Sequence, residues 1–530
     1  MIATIVEGAR IYDGISACPL QTDLAIVGDR IALIGDLSER EARERIDGRG
    51  RCLAPGFIDV HSHSDELWLV DGRCEGKILQ GVTTEIAGNC GTSVAPLRGL
   101  ALERKREELR RFGIALEWDD LDTFFTLVER SGVALNVATL AGLGTIRRAV
   151  RGDLAGPLAE GEANAARALV REAVEHGALG VSSGLVYTPG RFADTTELVA
   201  LCTAAREAGA PRYATHLRDE GDRSIEAVEE ALEIGRSAEV AVQCSHHKAW
   251  GKKNWGKVHR SLESIARARQ SGLPCAADVY PYVAAQTELA TILPPEFAGG
   301  GRDATLARLR NPEIALALSL RLDLERGDTW HDILISSAGS GRNEELAGER
   351  LDEIARRRRQ KPARTAIDLL IEEKLDVEAI FFAMCEDDVA TVLSAEFSAI
   401  GSDAAARALD GCTARGVPHP RTFGTFPRVF GRFVRGRKTL ELAEAIRRMT
   451  SLPADLFGLA GRGRIAPGAF ADLVLFDAET IVDTATYERP HAYPRGIDGV
   501  WVNGRAVARN GKPTGERPGR ALRGGRASLG

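Results

Sequence analysis

GFIDVHSHSD, residues 56–65, joins a short apolar run to two histidines that are separated by one residue. The apolar run predicts a buried strand. Side chains alternate along an extended segment, so His61 and His63 would lie on the same side and could reach one metal ion. A His-x-His pair alone is weak evidence for a metal site. The preceding strand and Pro-Gly pair, and Asp65 directly after, make that interpretation much stronger.

Downstream of this stretch, apolar strand-like runs alternate with charged amphipathic segments such as DRSIEAVEEALEIGRSA. This βα rhythm predicts an α/β fold, specifically a (β/α)8 TIM barrel over residues 56–460. The eight predicted strands are GFIDV before His61, TTEIAGN before Cys90, LNVATLA from Leu135, LGVSSGL from Leu179, RYAT before His216, VAVQCS before His246, AADVY ending at Tyr280 and AEFSAIGS before Asp403.

Three other regions depart from the rhythm. Residues 1–55 and 461–530 contain alternating apolar and polar stretches with Gly and Asp turns, which predict one small β-sandwich domain formed by both chain ends. The Gly- and Arg-rich end, GERPGRALRGGRASLG, is expected to be a frayed tail. Residues from about 295 to 390 contain strands and helices of their own, and we expect an insertion between barrel strands 7 and 8.

Composition excludes several classes of protein. The 530 residues are 44% apolar and carry a net charge of −6, which argues against a nucleic-acid partner. No window approaches 18 apolar residues, and the N-terminus lacks the pattern of a signal peptide, so we expect neither a membrane helix nor secretion. The nine cysteines are odd in number and form no framework, which favours reduced thiols and a cytoplasmic location.

Five of the ten histidines follow predicted strands, where the catalytic groups of a barrel gather. They are His61, His63, His216, His246 and His247. Cys90, between glycines in AGNCGTSVAP, would alone be interpreted as a buried thiol. Beside strand-end histidines a zinc ligand is favoured, since zinc binds Cys sulfur and His nitrogen well. Asp403 in AIGSDAA is either a helix N-cap or a metal ligand and general base.

A set of motifs closely resembles the N-acyl-D-amino-acid deacylases (D-aminoacylases) of the amidohydrolase superfamily. The set comprises GFIDVHSHSD, GNCG, GLVYTPG, ATHLRDEGD, SHHKAWG, DVYPY, AIGSD and HPRTFGTFPRVFG. The resemblance covers nearly the whole chain. GNCG and the HPR-x-x-GTFPR segment are specific to this branch, whereas His-x-His marks only the superfamily.

The resemblance implies a metal centre and a mechanism. Cys90, His216 and His246 would form a tight zinc site, and His61, His63 and Asp403 a second, weaker site that Cys90 could bridge. Zinc would activate water and polarise the amide carbonyl, while Asp403 moves the proton from water to the leaving amine. Many relatives in the superfamily bridge their metals with a carboxylated lysine on strand 4, but LGVSSGL offers none.

The implied substrate, an N-acyl-D-amino acid, carries an α-carboxylate that needs a cationic clamp. Lys248 and Arg421 are the expected cations. Tyr280 and Tyr187 are expected to contact substrate. The alternative for each is that the ring packs at the edge of the core and its hydroxyl bonds to water.

Three neighbours of these residues receive no catalytic role. Arg218 and Glu220 are expected to form a supporting ion pair, and His247 is expected either to be structural or to support a metal ligand from outside.

Two alternatives remain open from the sequence. One is an amidohydrolase that acts on a cyclic amide, against which Cys90 and the absent strand-4 lysine weigh. The other is a barrel without metal that serves as a binding scaffold, although every expected ligand position is filled. The sequence leaves open the preferred side chain and acyl group of the substrate, the number of metals and the oligomeric state.

Overall fold

A computed structural model of the chain describes residues 1–339 and 341–524. It contains 21 strands in these ranges: β1 (Ile2–Ile11), β2 (Leu20–Val27), β3 (Arg30–Gly35), β4 (Ala42–Asp47), β5 (Cys52–Pro55), β6 (Phe57–Asp59), β7 (Val82–Ala87), β8 (Asn136–Thr139), β9 (Ala141–Gly142), β10 (Val181–Gly184), β11 (Arg212–His216), β12 (Ala241–Cys244), β13 (Cys275–Val279), β14 (Ala285–Glu288), β15 (Ile333–Ala338), β16 (Val377–Phe381), β17 (Ser398–Ile400), β18 (Leu473–Phe476), β19 (Ile497–Val502), β20 (Arg505–Arg509) and β21 (Lys512–Pro513).

The α-helices lie between these strands and give the protein an α/β architecture. They span Leu67–Val70, Glu75–Ile78, Gly99–Arg110, Leu121–Ser131, Leu143–Arg151, Glu160–Glu175, Thr195–Glu207, Ser224–Ala238, Lys257–Gln270, Pro295–Ala298, Gly301–Arg310, Pro312–Arg326, Leu351–Arg358, Pro362–Glu372, Glu386–Ser394, Arg421–Arg428, Leu442–Met449 and Ser451–Phe457. Among the described residues, no helix is both long and apolar enough to cross a bilayer.

Each of the eight predicted barrel runs forms a strand, and neighbouring strands pair in parallel. β6, β7 and β8 form one ladder, and β9 to β13 followed by β17 form another. Only Leu140 separates β8 from β9 in the chain. At the other edge, a parallel bridge joins Ser62 to Ala404 just beyond β6 and β17. The strands are almost entirely buried, as expected when helices cover a parallel sheet.

Local sequence explains where the connecting helices begin. Asp120 precedes Leu121–Ser131 and accepts a hydrogen bond from the Thr123 amide at 2.8 Å. Asp194 caps Thr195–Glu207 in the same way, through the Glu197 amide. Each carboxylate satisfies an amide that the helix leaves free, so each helix starts directly after its aspartate.

The two chain ends share one nine-stranded sheet. β5 pairs with β1 on one side and with β18 on the other, so the N-terminal strands continue directly into the C-terminal ones. An apolar cluster formed by both ends, including Leu24, Leu473 and Trp501, lies against this sheet.

A second, three-stranded antiparallel sheet lies in the chain between β13 and β17. β16 is its central strand, flanked by β14 and β15. The insertion predicted from about residue 295 to 390 overlaps this region, and β14 begins ten residues before that predicted start and pairs with β16. A separate apolar cluster fills the space between this sheet and its helices, with Leu289, Trp330 and Phe381 among its members.

The prediction of a frayed tail was wrong for the residues before 525. The Gly519 amide donates to the Val133 carbonyl at 2.8 Å, and the Leu522 amide donates to Val137 at 2.7 Å. Arg523 lies over the Phe125 ring. A Gly- and Arg-rich composition suggested mobility, but the backbone finds partners along β8 that the composition could not reveal. Residues 525–530, the rest of that prediction, lie outside the described residues.

Candidate active site

The predicted ligand residues meet where the parallel strands end. His61 and His63 follow β6, Cys90 follows β7, and His216 ends β11. His246 and Asp403 follow β12 and β17. Because the carboxyl ends of parallel strands converge, residues as distant in the chain as His63 and Asp403, which are 340 positions apart, become neighbours here.

Distances within this cluster suit a metal centre with three overlapping groups: His61, Cys90 and His246; His61, His63 and Asp403; and His216, Glu220 and His246. The Cys90 Sγ atom lies 3.4 Å from Nε2 of His61 and 3.4 Å from Nε2 of His246. The His63 Nε2 atom lies 3.0 Å from an Asp403 oxygen, and the His61 Nε2 atom 3.5 Å from the same carboxylate. In each group the possible donor atoms lie within 4.8 Å of one another.

Three of these residues have strained backbones. Cys90, His246 and Asp403 adopt φ of 52°, 35° and 50°, in the left-handed region that non-glycine residues rarely occupy. Such strain persists only where the surrounding structure enforces it, and it concentrates at functional sites. The backbone is closely packed directly after Cys90, since a Cβ on Gly91 would lie 2.7 Å from the Gly184 amide nitrogen.

Charges at the cluster favour ionised ligands. Burial raises the pKa of the Cys90 thiol, but His61 and His246 outweigh it and hold the pKa well below its ordinary value. Burial likewise opposes ionisation of Asp403, while Arg421 and the nearby histidines hold its pKa well below the usual range. The thiolate is the form that binds metal, so the surroundings prepare Cys90 for that role.

The donor set fits zinc. One thiolate sulfur together with imidazole nitrogens is a combination that zinc prefers. In the described part of the chain, the Nδ1 atom of buried His216 has no hydrogen-bond partner, which leaves it available for coordination. His247, by contrast, turns away and bonds to the Ser261 hydroxyl at 2.7 Å, in agreement with its expected structural role.

Glu220 lies at the centre of the site, and its predicted pairing with Arg218 was wrong. Arg218 binds Glu230 at 2.8 Å instead. The Glu220 carboxylate contacts the Lys248 ammonium at 2.5 Å and His246 Nδ1 at 3.0 Å. Burial raises the pKa of Glu220, but the lowering caused by Lys248 and His216 is larger, so the pKa is below its ordinary value and Glu220 is ionised. Sequence proximity suggested the wrong partner because the chain turns after β11.

The two expected clamp cations both contact residues of the cluster. Lys248 is buried and lies 2.8 Å from His246 Nδ1 as well as against Glu220. Arg421, at the start of helix Arg421–Arg428, contacts Asp403 at 2.7 Å and the carbonyl of Gln286 at 3.3 Å. Both cations are therefore held by acidic groups of the site.

Both predicted tyrosines are near these groups. The Tyr280 ring lies 4.6 Å from the Arg421 guanidinium carbon and 5.8 Å from the Lys248 nitrogen. Its buried hydroxyl has no hydrogen-bond partner among the described residues. The Tyr187 ring packs edge-on against His216 at 5.0 Å, and its hydroxyl bonds to Thr287 at 2.8 Å.

Asp278 is a site residue that the sequence analysis missed. It is fully buried on β13, where its carboxylate lies 3.2 Å from His61 Nδ1 and accepts from the His246 amide at 2.8 Å. It orients His61 so that Nε2 faces Cys90, as outer partners of metal ligands commonly do. The signal was a charged residue inside the apolar run AADVY.

A buried lysine supports the loop that carries Asp403. Lys77 contacts Asp59 at 2.7 Å and Glu85 at 2.8 Å, and it donates to Ser402 and to the Ala404 carbonyl on either side of Asp403. The buried ammonium is fully paired, so it ties β6 and β7 to the end of β17.

The chain matches known proteins over nearly its whole length. A model of the amidohydrolase family matches residues 44–291 and 349–508. An N-acyl-D-glutamate deacylase of Alcaligenes xylosoxydans xylosoxydans is 38% identical over 98% of this chain and 96% of its own, and a D-aminoacylase of the same organism is 36% identical over 98% and 97%.

Solved structures agree with these relatives. The crystal structure of N-acyl-D-glutamate deacylase from Bordetella bronchiseptica, complexed with zinc and a phosphonate mimic of the tetrahedral intermediate, superposes with a TM-score of 0.84. It is 35% identical, and the match covers 98% of this chain and 99% of that one. The chain therefore belongs to the amidohydrolase family, in the branch of the N-acyl-D-amino-acid deacylases.

Proposed function

We propose that this protein is a zinc-dependent hydrolase of N-acyl-D-amino acids, releasing a carboxylate and a free D-amino acid. The observation that carries the proposal is the cluster of Cys90 with His61 and His246 beside two buried cations. Relatives that share more than a third of its sequence are named for this activity.

Cys90, His216 and His246 would hold the tightly bound zinc, with His61, His63 and Asp403 as the second, weaker site. Bound zinc supplies a Lewis acid that polarises the amide carbonyl and lowers the pKa of water. Asp278 keeps His61 in the orientation required for binding.

Asp403 would act as general base and then as general acid. Its carboxylate lies in the ligand cluster and within reach of a water placed there. It would accept a proton from the attacking water and deliver that proton to the leaving amine nitrogen. Arg421 and His63 hold the carboxylate in place through direct contacts.

Lys248 and Arg421 would bind the α-carboxylate, with Tyr280 and Tyr187 as further substrate contacts. Supporting this role, the Tyr280 hydroxyl is buried and unpartnered within the described residues and lies beside both cations. If the scissile carbonyl is held at the metal and the α-carboxylate at the two cations, only one enantiomer of the substrate can place its side chain in the pocket. The other enantiomer would place that side chain against the wall.

The same reasoning extends to architecture and location. We infer that the eight parallel strands close into a (β/α)8 barrel over about 56–460, because the Ser62–Ala404 bridge joins the outer strands. The sheet of residues 1–55 and 461–530 would form a small β-sandwich domain around its shared apolar cluster. All nine cysteines are free, which favours a reducing compartment such as the cytoplasm.

A hydrolysis screen tests the activity. N-acetyl-D-amino acids with apolar, acidic and basic side chains would be compared with their L forms and with cyclic amides, and zinc would be measured in the same preparations. We expect turnover of D substrates only. Turnover of cyclic amides alone would indicate the other amidohydrolase class, and protein without zinc or turnover would indicate a scaffold.

A further inference from the structure

The segment HPR, residues 419–421, contains a histidine that the proposed mechanism does not use. His419 is completely buried. Its Nδ1 atom accepts a hydrogen bond from the Arg421 amide at 3.0 Å, and its Nε2 atom donates to the Ala284 carbonyl at 3.0 Å. The ring therefore links the backbone of Arg421 to the segment that leads into β14.

His419 and Arg421 both form further hydrogen bonds to the same short segment, residues 284–286. The His419 amide donates to the Gln286 side chain at 2.9 Å, and the Arg421 guanidinium donates to the Gln286 carbonyl at 3.3 Å. Arg421 is thus held at its backbone and at its side chain by groups of residues 284–286. A shift of the His419 ring would move both attachments.

Two tyrosines prevent the ring from turning. Tyr282 and Tyr487 each pack edge-on against His419, with ring centroids 5.1 Å away and interplanar angles of 89° and 82°. The Tyr282 hydroxyl also donates to the Pro420 carbonyl at 3.4 Å. Packing against two tyrosine rings restricts rotation of the imidazole and so favours the orientation in which Nδ1 faces Arg421.

The hydrogen-bond pattern requires a neutral imidazole. A nitrogen that accepts from a backbone amide cannot carry a proton, so the proton lies on Nε2. The surroundings agree, since burial and then Arg421 hold the pKa of His419 well below its ordinary value. This ring cannot serve as a cation for the substrate, which leaves an orienting role.

We propose that His419 is a positioning residue that sets the place of the Arg421 guanidinium through its Nδ1 acceptor. The proposal rests on the proposed function, in which Arg421 binds the substrate carboxylate. Placement errors of about 1 Å can reduce rates on the order of 100-fold, so such a residue would matter without touching the substrate.

Two substitutions distinguish the roles of the two ring nitrogens of His419. His419→Asn keeps an oxygen near the Nδ1 position, whereas His419→Gln keeps an amide near Nε2 and loses the acceptor for Arg421. We expect His419→Asn to stay within a few-fold of wild-type kcat/KM. We expect His419→Gln to lose on the order of 10- to 100-fold on N-acetyl-D-amino acids, and less on their α-carboxamides. Equal losses for the two variants, or equal losses on both substrates, would overturn the proposal.

A double variant and a control sharpen the result. If His419 acts only through Arg421, His419→Gln combined with Arg421→Ala should match Arg421→Ala alone, whereas multiplied losses would contradict the proposal. His491→Gln is the matched control. His491 packs on Phe423, which lies in the helix that begins at Arg421, but His491 does not bond to Arg421. It should leave kcat/KM unchanged.

Crystal structures of the two His419 variants give an outcome independent of turnover. The guanidinium should move in His419→Gln and stay in His419→Asn, and an unmoved guanidinium in His419→Gln would overturn the inference. If Arg421→Ala loses as much kcat/KM on the α-carboxamides as on the carboxylates, the proposal that Arg421 binds the substrate carboxylate is wrong instead. The crystal structures would still decide whether His419 positions Arg421.

Discussion

At the scale of single residues, the site pairs each expected clamp cation with an acid. Lys248 lies against Glu220 and Arg421 against Asp403, and all four side chains are at most 10% exposed. If Lys248 and Arg421 bind the substrate carboxylate as proposed, that carboxylate must share or displace these acidic partners. Binding energy in this site therefore depends on exchanging one buried ion pair for another.

Removing a clamp cation tests that dependence. We expect Arg421→Ala and Lys248→Ala to lower kcat/KM on N-acetyl-D-amino acids by about 30-fold or more, since losing a buried charged contact costs on the order of 2–5 kcal/mol. The loss should be smaller on α-carboxamides, and bound zinc should remain. Wild-type kcat/KM in both variants on every accepted substrate would show that the clamp lies elsewhere.

Cys90 provides the test of the metal centre. Cys90→Ala should remove the tightly bound zinc and nearly all activity, because it deletes the sulfur between His61 and His246. Zinc per chain, measured after gel filtration, is the readout. Cys202→Ala is the control, since Cys202 is a buried free thiol in helix Thr195–Glu207. Unchanged zinc content in Cys90→Ala would mean that Cys90 is only a structural thiol.

At the scale of elements, the antiparallel pair β14–β16 places Glu288 directly opposite Glu378. Burial and then the neighbouring Glu288 and Asp376 raise the pKa of Glu378 to about 7. Like charges opposite each other destabilise a sheet. Glu378 binds a proton more tightly in the folded chain than in the unfolded one, so its contribution to stability falls as pH rises from its unfolded pKa to about 7.

Glu378→Gln removes this penalty. The variant should be more stable than wild type above pH 7, on the order of 1 kcal/mol, and should show no advantage near pH 4. Thermal unfolding across this pH range measures the difference. Glu386→Gln should instead be less stable than wild type at neutral pH, because Arg432 and Arg437 hold the pKa of Glu386 below its usual value and stabilise its ionised form. A constant difference at all pH values in Glu378→Gln would refute the assignment.

At the scale of the whole molecule, the C-terminal strap (residues 517–524) fastens the chain end along β8. The Val137 amide donates to Arg520, and the amides of Gly519 and Leu522 donate to Val133 and Val137. Arg520 also pairs with Asp29 at 2.7 Å, which connects the strap to the sheet of the chain ends. The strap lies near the start of β8, away from the strand ends that carry the ligands.

Truncation separates stability from catalysis. Ending the chain after Glu516 should lower the free energy of unfolding by on the order of 1 kcal/mol for each of the four lost backbone bonds, the fourth being from the Gly524 amide to the Gly177 carbonyl. Zinc content should be unchanged. Ending it after Gly524 is the matched comparison, because the two truncated chains differ only in residues 517–524. Equal melting temperatures for the two truncations would show that the strap contributes nothing.

The sequence by itself determined the eight parallel strands and the proposed ligand residues that follow five of them. Both are local properties: apolar runs of strand length predict buried strands, and a residue directly after a strand must lie at its end. The motifs around Cys90, His246 and Arg421 likewise identified the family, because they are contiguous in the chain.

Only the tertiary structure decided the partners of the charged groups. Glu220 pairs with Lys248 instead of Arg218, Asp278 supports His61 from another strand, and residues 517–524 dock on β8. An ion pair or hydrogen bond requires atoms within about 4 Å. Residues far apart in sequence reach that distance only after the strands have packed, so no local pattern could have predicted these contacts.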